Sequence, residues 1–356
     1  MSVRNISLRS LIIAFLCLGC GASARTTRTD TLTLRFFGDI MMHTSQIKAS
    51  SKGYSKYFMH IENKIREADI SIANMEFPLA GEPYSGYPTF SAPDEFASYV
   101  AGRGFDIFLC ANNHIFDKGS EGAARTVSIY DELQKKYGFE YIGLANSPES
   151  QNQKCPLIIT RKGIRVALIN TTYGTNLGAT DHWPKTVYQS YAIQLGKALS
   201  KAEAESDLTI ALPHWGIEYE LQHSESQETF AKWLIERGAD AIIGTHPHVI
   251  QDTSAISGIP VAYSLGNLVS NMSAANTQLG LMVTMKIIRD AKGYIRTLPF
   301  ELTYLWCSRP GGLTDGFTVI PVEEFIGRRD EWMGTWDYDK MIGTYEKVRK
   351  IHNNEH

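Results

Sequence analysis

His246 and His248 stand two residues apart, and in an extended chain side chains at that spacing leave on the same side, where both imidazoles reach one metal site or two adjacent ones. Other short polar clusters carry compatible chemistry: Gly38-Asp39, Asn74-Met75-Glu76, Asn112-Asn113-His114 with Asp117 three residues on, His214-Trp215-Gly216-Ile217-Glu218, and Ser264-Leu265-Gly266-Asn267. Taken singly, most of these read as turns or caps, because Asp, Asn and Ser side chains bond nearby backbone groups. Taken together they form a mixed set of carboxylate, amide and imidazole donors. Such a set suits borderline or hard divalent ions such as Zn²⁺, Mn²⁺ or Fe²⁺.

Each cluster directly follows an apolar run, and those runs are the elements that must position it. Leu32 to Phe37, Ile70 to Ala73, Phe105 to Cys110, Val166 to Ile169, Leu208 to Leu212, Ala241 to Ile243 and Val261 to Leu265 read as buried strands. Between them, Lys56 to Glu67, Glu121 to Tyr137, Gln194 to Glu205 and Gln227 to Arg237 carry apolar residues at three- and four-residue spacing, the pattern of helices. This alternation predicts an α/β layered fold, in which sites form at the carboxyl ends of strands. Leu157 to Ile169, turning at Lys162-Gly163, and Leu279 to Leu305, turning at Ala291 to Gly293, read as hairpins, so the sheets are expected to be mixed. After the break at Pro310-Gly311-Gly312 comes a mixed tail with a basic helical end, Tyr338 to Asn353.

The ordered series Gly38-Asp39, Asn74-x-Glu76, Asn112-Asn113-His114-x-x-Asp117-x-Gly119, His214-Trp215-Gly216-x-Glu218, Gly244-x-His246-Pro247-His248 and Ser264-Leu265-Gly266-Asn267 resembles the CapA-type poly-γ-glutamate capsule proteins, a branch of the calcineurin-like metallophosphoesterase superfamily. Asp69 and Phe105-Asp106 fit the same pattern, and the resemblance runs from about Leu32 to Ser270. It implies a four-layer α/β/β/α sandwich with a two-metal centre on one edge. Asp39, Asn113, His214, His246 and His248 match the superfamily's metal-binding positions. Where typical members have Asp-x-His and then a bridging aspartate, this chain has Asp39-Ile40-Met41 and Asn74-Met75-Glu76. Glu76, one methylene longer, is expected to bridge in the aspartate's place, and His43 is weighed as a substitute for the missing histidine against a solvent-facing turn residue. By the same resemblance His114 is the catalytic histidine, with Asp117 orienting its ring, while Asn74, Glu218 and Asn267 support ligands or meet substrate. The family's role is in making or anchoring poly-γ-glutamate or another capsule polymer at the cell surface. The implied activity is metal-dependent hydrolysis of a phosphoester, or of an amide or ester of such a polymer; retention of the metal site for binding the polymer without turnover is the alternative.

The 356-residue chain is 43% hydrophobic and 21% charged, a composition that supports a packed core and excludes a disordered scaffold. A formal charge of -3 supplies no basic field for nucleic acid, which is not expected as a partner. The expected partner is instead an anionic cell-surface polymer or its precursor. Arg4 and Arg9 precede an apolar run, Leu11 to Leu18, too short to span a bilayer, so residues 1–24 read as an export signal. Cys17-Leu18-Gly19-Cys20 resembles a lipobox, which would place a lipid on Cys20 and hold the protein to a membrane; Ala22-Ser23-Ala24 offers a competing cleavage site for soluble export. Residues 25–31 then form a polar linker, 32–305 the metallophosphoesterase-like domain and 306–356 a C-terminal extension. Cys110 and Cys307 read as small core residues, and no cysteine spacing predicts a disulfide framework or a zinc site.

Overall fold

The computed structural model describes residues 31–178, 181–290 and 292–352, so the expected export signal and Cys20 lie outside the described residues. Two mixed sheets face one another. In the first, the strands run in the order Thr318–Pro321, Glu301–Ser308, Leu279–Arg289, Thr31–Ile40, Ile70–Met75, Ile107–Leu109 and Glu140–Ile142. Asn267–Val269 joins Thr31–Ile40 in parallel, and Ile295–Thr297 joins Leu279–Arg289 antiparallel. The second sheet runs Thr253–Ile256, Ile259–Ala262, Ala241–Ile243, Leu208–His214, Ile164–Thr172 and Leu157–Arg161. In each sheet the strands that carry the polar clusters are parallel. The antiparallel strands are the hairpin partners Leu157–Arg161 and Thr253–Ile256 in one sheet, and the segment from Leu279 onward in the other.

The layering follows from the two-residue period of a strand. Leu34, Phe36, Ile70, Ile72, Ile107 and Leu109 of the first sheet share one buried cluster with Val166, Leu168, Leu208, Ile210 and Leu212 of the second, so these residues make the contact between sheets. The alternating residues point outward: Phe37, Ala73 and Phe108 pack with Phe96, Val100, Val127 and Tyr130 of the helices Asp94–Gly102 and Gly119–Tyr137. On the far side, Ala167, Ile169, Ala211 and Ile242 pack with the helices Ala192–Glu205 and Glu225–Glu236. The result is the four-layer α/β/β/α sandwich. The sheet continues past residue 305, and the helix Thr335–His352 lays Tyr338, Met341, Tyr345 and Val348 into the cluster between the sheets.

One helix differs from its sequence pattern. Only Glu62–Arg66 of the expected Lys56 to Glu67 is helical. Tyr57 and Phe58 instead turn inward, where Tyr57 packs tilted on Phe96 and edge-on to Tyr99, and Phe58 stacks on Tyr99 and packs edge-on to Phe105. Burying two aromatic rings outweighs the weak helical preference of the preceding turn. The helices Asp94–Gly102 and Pro148–Lys154 were not anticipated from periodicity.

Candidate metal centre

Both sheets end their parallel strands at the same edge, and the polar clusters meet there. Asp39, Asn74, Glu76 and Asn113 arrive from the first sheet, and His214, His246 and His248 from the second. Two close approaches permit this convergence. A Cβ on Gly38 would lie 1.9 Å from the Gly266 carbonyl oxygen, and one on Gly244 would lie 2.1 Å from the Tyr263 carbonyl oxygen. Asp39 therefore donates its backbone N–H to Gly266 at 2.9 Å and stands in register with Asn267.

Two groups of side chains have ligand atoms within 4.8 Å of one another: Glu76, His246 and His248, and Asp39, Glu76 and His214. Glu76 belongs to both. His214 Nδ1 lies 3.0 Å from Thr245 Oγ1, which leaves Nε2 at 2.9 Å from Asn113 Oδ1 and 3.5 Å from Glu76 Oε1. His248 repeats the device: its Nδ1 is 3.0 Å from Asn267 Oδ1, and its Nε2 is 3.6 Å from Glu76 Oε1. Holding one ring nitrogen in this way fixes the tautomer and presents the other as a donor to a metal. Asn74 does the same for the carboxylate of Asp39, donating from Nδ2 to Oδ1 at 2.7 Å. Thr245 was not singled out from the sequence, where a threonine before His246 is indistinguishable from an ordinary loop residue.

The electrostatics of the cluster fit a cation. Asp39, Glu76 and His214 are fully buried, and His246 and His248 nearly so. Burial, reinforced by Asp39 and Glu218, raises the Glu76 carboxyl well above the usual carboxylate range. Burial and the neighbouring imidazoles hold His214 and His246 far below the ordinary histidine value, so both stay neutral. Glu76 Oε1 and His246 Nδ1 are buried with no hydrogen-bond partner among the described residues. Orphaned acceptors beside neutral imidazoles and carboxylates are costly alone and are satisfied by a divalent ion, so the donor set matches the expected cofactor.

The structure also revises local expectations. The His246-Pro247-His248 backbone is not extended: φ is +104° at His246 and +58° at His248, and a left-handed turn brings both rings to the edge. Such strain in non-glycine residues concentrates at functional sites. His43 lies in neither ligand group. It precedes the helix Thr44–Ala49, with its ring Nδ1 3.2 Å from Gln46 Oε1 and 3.3 Å from the Asn271 backbone N–H.

His114 sits beside the cluster, 3% exposed, with Nδ1 2.7 Å from Asp117 Oδ2 and its ring edge-on to Phe90. Asp117 Oδ2 also accepts from the Phe90 N–H at 2.7 Å, which fixes the carboxylate. Asn176, missed in the sequence, places its amide 3.1 Å from the same His114 nitrogen, and its backbone N–H donates to the Asn113 carbonyl at 2.8 Å. Glu218 is partly buried, close enough for its charge to act on Glu76.

The profile of a family described as "Bacterial capsule synthesis protein PGA_cap" matches residues 33–272. The chain is similar to the capsule biosynthesis protein CapA of Bacillus anthracis, with 27% identity over 294 residues, 79% of this chain and 70% of that one. It is similar also to the PGA biosynthesis protein CapA of Bacillus subtilis, with 25% identity over 301 residues, 82% of this chain and 78% of that one. Among solved structures, a putative 5'-nucleotidase from Staphylococcus aureus superposes with a TM-score of 0.51 at 13% identity, covering 77% of this chain and 54% of that chain. That likeness concerns the fold, which is metallophosphoesterase-like.

Proposed function

The chain belongs to the bacterial capsule synthesis protein family, and from that premise we propose that it is an exported, metal-dependent hydrolase acting on an anionic capsule polymer, its precursor or its attachment at the cell envelope. The observation that carries this reading is the shared carboxylate: Glu76 belongs to both ligand groups, and its buried Oε1 has no hydrogen-bond partner among the described residues. Asp39, Glu76, Asn113 and His214 would hold one ion, and Glu76, His246 and His248 a second, with Mn²⁺, Zn²⁺ and Fe²⁺ as the matching chemistries. Bound there, divalent ions supply a water of lowered pKa and neutralise charge on the attacked group.

The chain's own residues then handle the proton. Asp117 accepts the proton-bearing Nδ1 of His114, so Nε2 is the atom that passes a proton to a leaving group. Asp117 keeps the ring from turning, Asn176 Nδ2 donates to the other carboxylate oxygen of Asp117 at 3.4 Å, and Asn74 and Asn267 keep Asp39 and His248 aimed. The test is metal analysis of the full chain purified without chelator, combined with hydrolysis of bis(p-nitrophenyl) phosphate in added Mn²⁺. We expect bound metal and turnover, both reduced in a His246→Ala/His248→Ala double variant; a double variant binding as much metal as the parent would refute the ligand assignment. Export with a lipid on Cys20 rests on Arg4, Arg9, the apolar run and the Leu18-Gly19-Cys20 triplet. Intact mass of the native protein should show a lipid-bearing N-terminal Cys20, and retention of Met1 would sink that part of the reading.

A further inference from the structure

Three tyrosines that hold no metal stand half out of the fold around the mouth of the centre. Tyr173 follows the strand Ile164–Thr172, is 47% exposed, and sets its ring 4.7 Å from that of His246 and nearly parallel to that of His214. Tyr219 is 42% exposed and lies with its ring 6.4 Å from that of His248. Tyr87, 71% exposed, is near enough to Tyr219 for the two phenols to interact. These are fixed platforms. The Tyr173 N–H donates to the His214 carbonyl at 3.0 Å, and the Tyr219 N–H to the Pro247 carbonyl at 2.8 Å. Tyr219 is held at φ +70°, a left-handed conformation that a tyrosine adopts only where its surroundings impose it.

The charged groups acting on the phenols of Tyr173 and Tyr219 are Glu218 and Glu76, both acidic. Aromatic faces left in water beside a polar centre offer apolar contact area to a ring. The polar groups that act on them narrow the kind of ring. A carboxylate only accepts hydrogen bonds, and a phenol both donates and accepts, which matches hydroxyls that do both. A second anionic group would meet Glu218 with no cation beside it on these residues, and a nucleobase edge calls for paired donors and acceptors of the amide kind.

We propose that Tyr173, Tyr219 and Glu218 form a subsite for an uncharged, hydroxyl-bearing sugar ring, joined in the substrate to the anionic group that the metal centre takes. The placement of that anion rests on the hydrolase reading above; the ring subsite itself does not. The first test is saturation-transfer NMR on the full chain stripped of metal, with methyl α-glucoside, adenosine and glycerol as separate probes. Saturation should reach the ring protons of the glucoside, exceed that of the other two, and fall in Tyr173→Ala and Tyr219→Ala while persisting in Tyr173→Phe and Tyr219→Phe. The second test is phosphate release by the Mn²⁺-loaded chain from glucose 1-phosphate and from glycerol phosphate. The sugar ester should be favoured by roughly tenfold in kcat/KM, the order expected from burying one apolar sugar face, with the preference lost in the alanine variants at unchanged metal content. Preference for adenosine, or absence of saturation in any probe, overturns the proposal. Glucoside saturation that depends on the tyrosines, without hydrolysis of either ester, upholds the subsite and refutes phosphate monoester hydrolysis at the centre instead.

Discussion

His114 and His43 both pack edge-on against Phe90, and their surroundings give them different duties. His114 has its Nδ1 committed to Asp117 and stands outside both ligand groups. General acid help is worth about 10²–10⁴ in rate, so His114→Ala should lower hydrolytic turnover by about that factor while metal content stays at the parental level. Loss of metal in this variant would make the residue a ligand. His43 is mostly buried, and that burial, with smaller contributions from the neighbouring His248 and His114, holds its pKa down to about 4 against an ordinary 6.5; the Gln46 hydrogen bond works the other way. The folded chain therefore keeps His43 neutral where the unfolded chain would protonate it. Its contribution to stability is complete above pH 6.5 and is lost as the pH falls toward 4. Chelator-treated His43→Gln should accordingly lose less thermal stability than the parent between pH 6.5 and 4, and equal losses would show that His43 does not contribute. The position four residues after Asp39 made His43 a candidate ligand in the sequence; only packing against Phe90 and Asn271 shows it as part of the wall.

At the scale of elements, each polar cluster was legible because it follows an apolar run, and the runs became strands close to their expected bounds. Their convergence depends on backbones touching. Gly38 is the tightest such place: a methyl group there would overlap the Gly266 carbonyl, whose oxygen lies 1.9 Å from the position of the added carbon. Gly38→Ala must push the strand Thr31–Ile40 away from Asn267–Val269, and overpacking of this kind costs about 1–3 kcal/mol. We expect a loss of about 3 kcal/mol in chemical denaturation of the metal-free protein, together with weaker metal binding because Asp39 moves with the strand. A variant of parental stability and metal content would show that the two strands can part freely. The left-handed backbone at His246 and His248 belongs to this scale as well. It could not be read from the sequence, because a His-Pro-His triplet in an extended strand presents the same residues.

Over the whole molecule, the centre exists only where the two sheets face one another, since Asp39, Glu76 and Asn113 come from one and the three histidine ligands from the other. Asn170 ties the sheets together behind it. Its Oδ1 accepts from the backbone N–H groups of Cys110 and Ala111 at 3.1 and 2.7 Å, and its Nδ2 donates to the Leu212 carbonyl at 2.8 Å. Asn170→Ala removes the partner of the Ala111 N–H, a buried group worth about 1–3 kcal/mol, while the Cys110 N–H keeps its bond to the Ile142 carbonyl at 2.9 Å, so the melting temperature should fall and metal affinity with it. Retention of parental metal affinity in a folded variant would show that the ligands hold their places without this strut. The sequence by itself determined the class of fold, because alternating strand and helix periods admit few layered arrangements, and it determined the ligand types, because chemistry is a property of residues. Only the tertiary structure decided which ring nitrogens face the shared carboxylate of Glu76, and that Thr245, Asn170 and Asn176 support the centre. Those facts depend on distances between residues up to about two hundred positions apart in the chain, as with Asp39 and the His246 N–H at 3.3 Å, and no local pattern encodes a distance of that kind.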